Sequence, residues 1–272
     1  LYKNSLNVDN YKFAEQVGAT HIVAHLTNYF SGDNPKISSG EKNNGWGWCE
    51  DEPIWDYELL SGLKKDLNEH NLQLEVLENF NPLHWHDILL DGPKKNHQME
   101  GLKQLMKNMG KVGIPIMGYC FSVAGVWGWE RGNYARGEAE SVGLFEGSRD
   151  FQEPIPDGLV WNMRYREGIK NKFVGEIKEE EMWERLKFFL DNLLPYAEEN
   201  NVVLAAHPND PPMRKMRGTE RILIQPSEFQ KLLNINESPN NKIELCLGTF
   251  QEMAESGLET YLNKFAKDDK IG

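Results

Sequence analysis

Val202-Val203-Leu204-Ala205-Ala206-His207-Pro208-Asn209-Asp210-Pro211-Pro212 runs five apolar residues straight into a histidine, and Pro211 and Pro212 then stop any regular structure. A short, nearly all-apolar run is a strand covered on both faces, as in a parallel barrel. Its polar end is where βα loops build active sites. About forty residues on, the pattern recurs as Lys242-Ile243-Glu244-Leu245-Cys246-Leu247-Gly248-Thr249-Phe250. If this is the next parallel strand, over 242–250, Cys246 stands beside His207 at the same rim. A neutral imidazole and a thiolate supply half of a four-ligand site for a divalent metal. A buried free cysteine is also a common small hydrophobe, so both readings of Cys246 stay open at this point.

Working outward, three more runs read as strands, at 20–26, 72–80 and 114–121, with His25 near the end of the first and Pro115 at the start of the third. Helical patterns lie between them. Residues 9–18 carry Phe13 and Val17 four apart, with Asp9 as cap and Gly18 as stop. Residues 55–71 place Leu59, Leu60, Leu63 and Leu67 on one face. Residues 96–112 have a stripe of Met99, Leu102, Met106 and Met109, read as core packing. Further helices are expected at 181–200, 226–234 and 257–270. Strand and helix in alternation call for a parallel sheet with right-handed crossovers. The expected fold is a (β/α)8 TIM barrel forming a single domain. Five visible strands leave it incomplete at both ends, with one strand expected before Leu1 and about three after Gly272.

Two segments break the alternation. Residues 27–53, with Phe30, Trp46 and Trp48, are too long for a plain connector and read as a lid over the barrel mouth or as a surface loop with docked tryptophans. Residues 122–180, with Trp127, Trp129 and Trp161, read as an insertion over the same mouth. The cluster 81–87, holding His84, His86 and Asp87, falls where a βα loop is expected.

Composition narrows the function. A formal net charge of −12 argues against nucleic-acid binding, which is driven by basic surface. Three widely spaced cysteines, Cys49, Cys120 and Cys246, without CxxC spacing, suit a reduced, cytoplasmic setting. No apolar run reaches the ~18 residues of a membrane span, so no membrane is expected. Open sheet edges in a five-stranded sheet call for the remaining chain or for a partner, and a homo-oligomer is the expectation.

At this point the residues resemble a known family. Ala206-His207-Pro208-Asn209-Asp210-Pro211-Pro212, with Gly218 and Arg221-Ile222 downstream, resembles the His-Pro-Asp-Asp-Pro-Pro and Gly-x-x-Arg-Ile segments of mannonate dehydratases. Glu244 to Phe250 is similar to the family's Leu-Cys-x-Gly-Ser/Thr strand. Met117-Gly118-Tyr119-Cys120-Phe121, followed by Val126-Trp127, resembles its Tyr-Asn-Phe-Met-Pro-Val stretch, and His86-Asp87-Ile88 its His-Glu-x-Ile. The resemblance implies a metal-dependent barrel that removes water from D-mannonate to give 2-keto-3-deoxy-D-gluconate, generally with Mn²⁺, Fe²⁺ or Zn²⁺ being the alternatives. It implies His207 and Cys246 as two of four metal ligands, with the other two, and the acid and base residues, expected beyond Gly272. The sequence departs from the family at Asn209, which stands for an Asp, and at Cys120, which stands for an Asn.

The chemistry then suggests roles. Removing water from a sugar acid takes a proton from the carbon beside a carboxylate and expels a hydroxyl one carbon further, and a divalent metal stabilises the enolate-like charge. Four basic residues, Arg214, Lys215, Arg217 and Arg221, lie between 213 and 224. Arg217 or Arg221 is expected to hold the substrate carboxylate, since a guanidinium fork fits one well. His86 and Tyr119 are expected to meet hydroxyls, Asn209 to line the same site, and Asp210 to accept a hydrogen bond from His207. Two other readings remain: a metal-dependent sugar isomerase or epimerase, and an inactive barrel that binds carbohydrate through its tryptophans. A small-molecule sugar acid is the expected partner.

Overall fold

The computed structural model describes residues 1–29, 47–125, 130–143, 153–253, 255 and 257–272. Phe30, Trp46, Trp127 and Trp129, and with them most of the expected lid at 27–53, lie outside the described residues. One parallel sheet organises the rest: β1 (His21–Ala24), β2 (Gln73–Glu78), β3 (Ile116–Tyr119), β4 (Val203–Ala206) and β5 (Asn241–Ile243), neighbours in that order. Single parallel bridges follow at both edges, Tyr2 with His25 and Ile271 with Ile243. Each strand pairs with the next in the chain, with no reversal of order. That is barrel wall rather than a doubly wound sheet, whose order reverses at a switch point.

The helices form where the sequence supplies caps and an apolar face. In α1 (Val8–Gln16) the cap is Asn7, whose side chain accepts from Asn10 N–H, and not Asp9 as expected. Asp56 caps α2 (Tyr57–Asn68) through Leu59 N–H. Residues 81–87 are a correction: they are no loop, because Asn81 caps Leu83 N–H and Pro82 opens α3 (Pro82–Leu90). The expected stripe of α4 (Lys95–Val112) is buried core, with Met99, Leu102, Met106 and Met109 at 2% exposure or less. In α5 (Glu179–Glu199) three acidic residues occupy the first turn, favourable at the positive end of the helix dipole, and Leu186, Phe189, Leu190 and Leu193 are buried. Then follow α6 (Pro226–Ile235), α7 (Leu247–Glu252) and α8 (Leu258–Lys267). None of these helices is long and apolar enough to cross a membrane, among the described residues.

The expected strand at 242–250 is also corrected. Pairing ends at Ile243, with Glu244 N–H still donating to Ala206 O, and the chain then turns into α7. Phe250 N–H closes that turn on Cys246 O, and the Phe250 ring packs 4.8 Å from Phe229 of α6. Cys246 therefore stands at the helix start, just past the strand.

The two faces of the sheet are distinct. Leu77, Met117, Tyr119, Leu204, Ala206 and Ile243 are fully buried, and Tyr119 meets Phe189 of α5 at 5.0 Å, so this face packs under the helices. The alternate positions, Glu78, Gly118 and Ala205, are paired neighbours across β2, β3 and β4 and line the opposite, inner face.

Candidate active site

The inner face gathers chemistry at its C-terminal rim. Backbone pairing continues one residue past β4, where His207 N–H donates to Tyr119 O at 2.8 Å, so the imidazole leaves the wall at a fixed height. Its Nδ1 lies 2.7 Å from Pro208 O. An Nδ1–H donated there leaves Nε2 to face the site, the arrangement in which histidine ligates metals.

His207 and Cys246 are brought together, as the sequence suggested. Burial lowers the pKa of His207, but hydrogen bonds to Cys120 and Cys246 outweigh it and hold the group well above the ordinary histidine value. On the partner side, Cys246 is pulled down to about 7, first by its hydrogen bond to His207, against burial and with help from Thr249. The Thr249 hydroxyl donates to Cys246 Sγ at 3.1 Å. A cysteine so placed has thiolate character near neutral pH.

Sequence reasoning missed part of this cluster. Glu244, two residues before Cys246 and on the same face, reaches over Gly118 toward Glu78. The Glu244 carboxyl is pushed up to about 8, by burial first and by the Glu78 charge next. Burial also raises Glu78, but its bond to His25, with Nε2 and Oε2 3.1 Å apart, and the charges of His25 and His207 bring it below the usual range. One carboxyl thus holds a proton beside one that is ionised. The signal was available: His25 and Glu78 stand at the C-terminal ends of their strands, and Glu244 keeps the inward parity of Lys242, which pairs with Ala205.

The other expected residues stand elsewhere or do other work. Tyr119 faces α5, fully buried, and its hydroxyl has no hydrogen-bond partner among the described residues. His86 lies on α3 with its ring stacked on Tyr165 at 3.9 Å, and it lines a separate cavity of about 540 Å³ with His84, Lys94, His97 and Arg166. Arg217 sits at φ 54° in the two-residue turn of a hairpin, Lys215–Met216 with Thr219–Glu220, and donates to Glu153 O and Pro154 O. Arg221 is buried, and its donors go to Asn209 Oδ1 and to the carbonyls of Asp210, Pro211 and Gly125. Asn209 also donates to Ile222 O at 2.6 Å. The acceptor beside His207 Nδ1 is Pro208 O, in the position expected of Asp210. Arg214 pairs with Glu179 and Glu228, and Lys215 with Glu176. The basic segment is therefore tied to its own fold.

No group of three or more His, Cys, Asp or Glu side chains among the described residues is arranged to hold a metal ion. His207 and Cys246 fit one as a pair once the ion takes the place of the proton they share, through Nε2 and a thiolate Sγ.

Comparison with known proteins finds relatives over most of the chain. The family model for D-mannonate dehydratase (UxuA) matches residues 15–271. Mannonate dehydratase of Endomicrobium trichonymphae is 27% identical over 78% of this chain and 61% of its own length. That of Thermotoga neapolitana is 28% identical over 80% of this chain and 64% of its own. The chain thus spans a little over three fifths of the curated relatives it matches. The crystal structure of mannonate dehydratase from Streptococcus suis serotype 2 superposes with a TM-score of 0.71 at 23% identity, covering 96% of this chain and 65% of that one. D-psicose 3-epimerase from Clostridium cellulolyticum H10 superposes at 0.55 with 10% identity, covering 100% of this chain and 70% of that one, a likeness of fold alone.

Proposed function

The chain belongs to the D-mannonate dehydratase family, and from that premise we propose that it takes part in dehydrating a sugar acid, D-mannonate, to 2-keto-3-deoxy-D-gluconate and water. The observation that carries the reading is the His207–Cys246 pair, set side by side at adjacent strand ends with donor chemistry suited to a divalent metal. His207 through Nε2 and Cys246 through Sγ would hold the ion, of which Mn²⁺ is our first choice and Fe²⁺ or Zn²⁺ the alternatives. When bound, such an ion supplies Lewis-acid stabilisation of the enolate-like charge that forms beside a substrate carboxylate. The chain's own residues prepare the site. Pro208 O orients the His207 ring, the Thr249 hydroxyl donates to Cys246 Sγ, and Glu78 and Glu244 present two carboxyls on the wall beneath. A small-molecule sugar acid is the partner this suits, in a soluble setting.

A metal-dependent epimerase or isomerase is the second reading, and the Glu78–Glu244 pair is the observation that favours it, since a protonated carboxyl beside an ionised one offers an acid and a base for proton transfer at a carbon next to a carbonyl. Metal analysis of the full chain and a colorimetric assay for 2-keto-3-deoxy acid over a panel of hexonates separate the two. Product from mannonate supports the dehydratase. Bound metal with an isomerised sugar, and no keto-deoxy product, overturns it.

A further inference from the structure

We propose that Arg221 is a positioning residue that sets where the His207 imidazole stands relative to Cys246. The proposal rests on the metal-site reading above and goes beyond it to the part of the chain that builds the site.

His207 is the last residue held by strand pairing, and across Pro208 to Pro212 one backbone bond, Asn209 N–H to Leu223 O at 3.1 Å, reaches another segment. Arg221 adds to that tie. Its Nε donates to Asn209 Oδ1 at 3.0 Å, one terminal nitrogen donates to Pro211 O at 2.6 Å, and the other reaches Asp210 O and Gly125 O, both at 3.1 Å. A single side chain thus ties three consecutive residues of the His207 loop to the turn that follows β3. Asn209 relays the restraint, with Nδ2 on Ile222 O and on Phe121 O and Oδ1 beside Cys120 Sγ at 3.9 Å. Cys120 in turn sits against Pro208 O at 3.9 Å, the carbonyl beside which His207 Nδ1 stands at 2.7 Å. The path from guanidinium to imidazole is therefore continuous.

The residue type fits the task. Guanidinium offers five donors in a planar fork, whereas an ammonium is a point charge with three, so lysine cannot serve the same set of acceptors. The guanidinium is 1% exposed with no carboxylate on any of its donors, an expensive placement that burial alone makes unfavourable. Its whole return is the fixed loop.

The test is Co²⁺ titration of the full chain. The readouts are the dissociation constant and the thiolate-to-cobalt charge-transfer band, with far-UV circular dichroism and the thermal midpoint alongside. Wild type is expected to show the band. Arg221→Met is expected to weaken Co²⁺ by about 10- to 100-fold, as loss of outer partners does at metal sites, with Arg221→Lys recovering part. Leu67→Ala, a core truncation on α2, controls for stability: its midpoint should fall with the cobalt constant unmoved. If Arg221→Met does not fold, Arg221→Lys and Asn209→Ala decide. Folded Arg221 variants with the wild-type constant and band overturn the positioning role and leave the metal reading standing. A wild-type chain that takes no cobalt overturns both.

Discussion

Glu244 Oε2 lies 2.3 Å from the point where a Cβ on Gly118 would stand. The inner wall at this level has a gap one methyl wide, and the Glu244 carboxyl fills it. Gly118→Ala should force the carboxyl out and cost about 1–3 kcal/mol, the usual range for overpacking. Glu78 Cγ, at 3.3 Å from the same point, adds a smaller strain. Urea denaturation of Gly118→Ala alone and combined with Glu244→Ala checks this. Most of the cost should vanish in the double variant, and an undiminished cost would place its origin elsewhere.

Tyr119→Phe should leave the proposed sugar-acid turnover unchanged and stabilise the fold by about 1 kcal/mol. Its hydroxyl is buried against α5 without a hydrogen-bond partner, so removing it removes a desolvated polar group. A raised KM for substrate in this variant would return Tyr119 to the site where the sequence first put it.

Asp157 accepts both terminal nitrogens of Arg166, at 2.6 and 2.8 Å, together with Ile169 N–H. These partners, Arg166 first, hold the carboxyl below its ordinary value of 3.8. A depressed folded pKa gives stability that is present above the unfolded value and is lost as pH falls through the folded one. Wild type should therefore exceed Asp157→Asn in stability at neutral pH, modestly because Arg166 is largely solvent-facing, and the gap should close in acid. Thermal midpoints from neutral pH to below pH 3 measure it. A gap that persists in acid would mean that the clip does not act through charge.

His207→Ala and Cys246→Ala should each lower divalent-metal affinity by more than about 100-fold, beyond the range seen for outer partners, and chelation of the wild type should strip the ion reversibly. Metal content measured on folded, chelated and reloaded protein is the readout. Full metal occupancy in either variant would remove the pair from the site.

Much of the architecture could be read before any coordinates. Apolar runs that end in polar residues identified the strands, and the Met99 to Met109 stripe identified a core helix. The errors came where one residue type serves two purposes. Leu245, Leu247 and Phe250 look like strand, yet Phe250 belongs to a helical turn packed on Phe229, and only that packing decides. His84 and His86 look like loop because they are polar, although Asn81-Pro82 already spelled a helix start.

The nearness of His207 and Cys246 was legible because a strand end is a local feature. Glu78 and Glu244 could have been found from strand parity, which sets inward against outward positions. Arg221 was read as a ligand clamp because a sequence does not tell which carbonyls will converge on a guanidinium. Four of them, counting the Asn209 amide, do so here.

That arginine has one more effect. Carbonyl dipoles and the nearby Asp210 solvate its charge, so a buried positive charge stays under the His207 loop in a chain whose net charge is −12. Low-permittivity surroundings carry such a field further than water would. The residue that fixes the loop thus also sets a positive charge against part of the chain's acidic balance at that point.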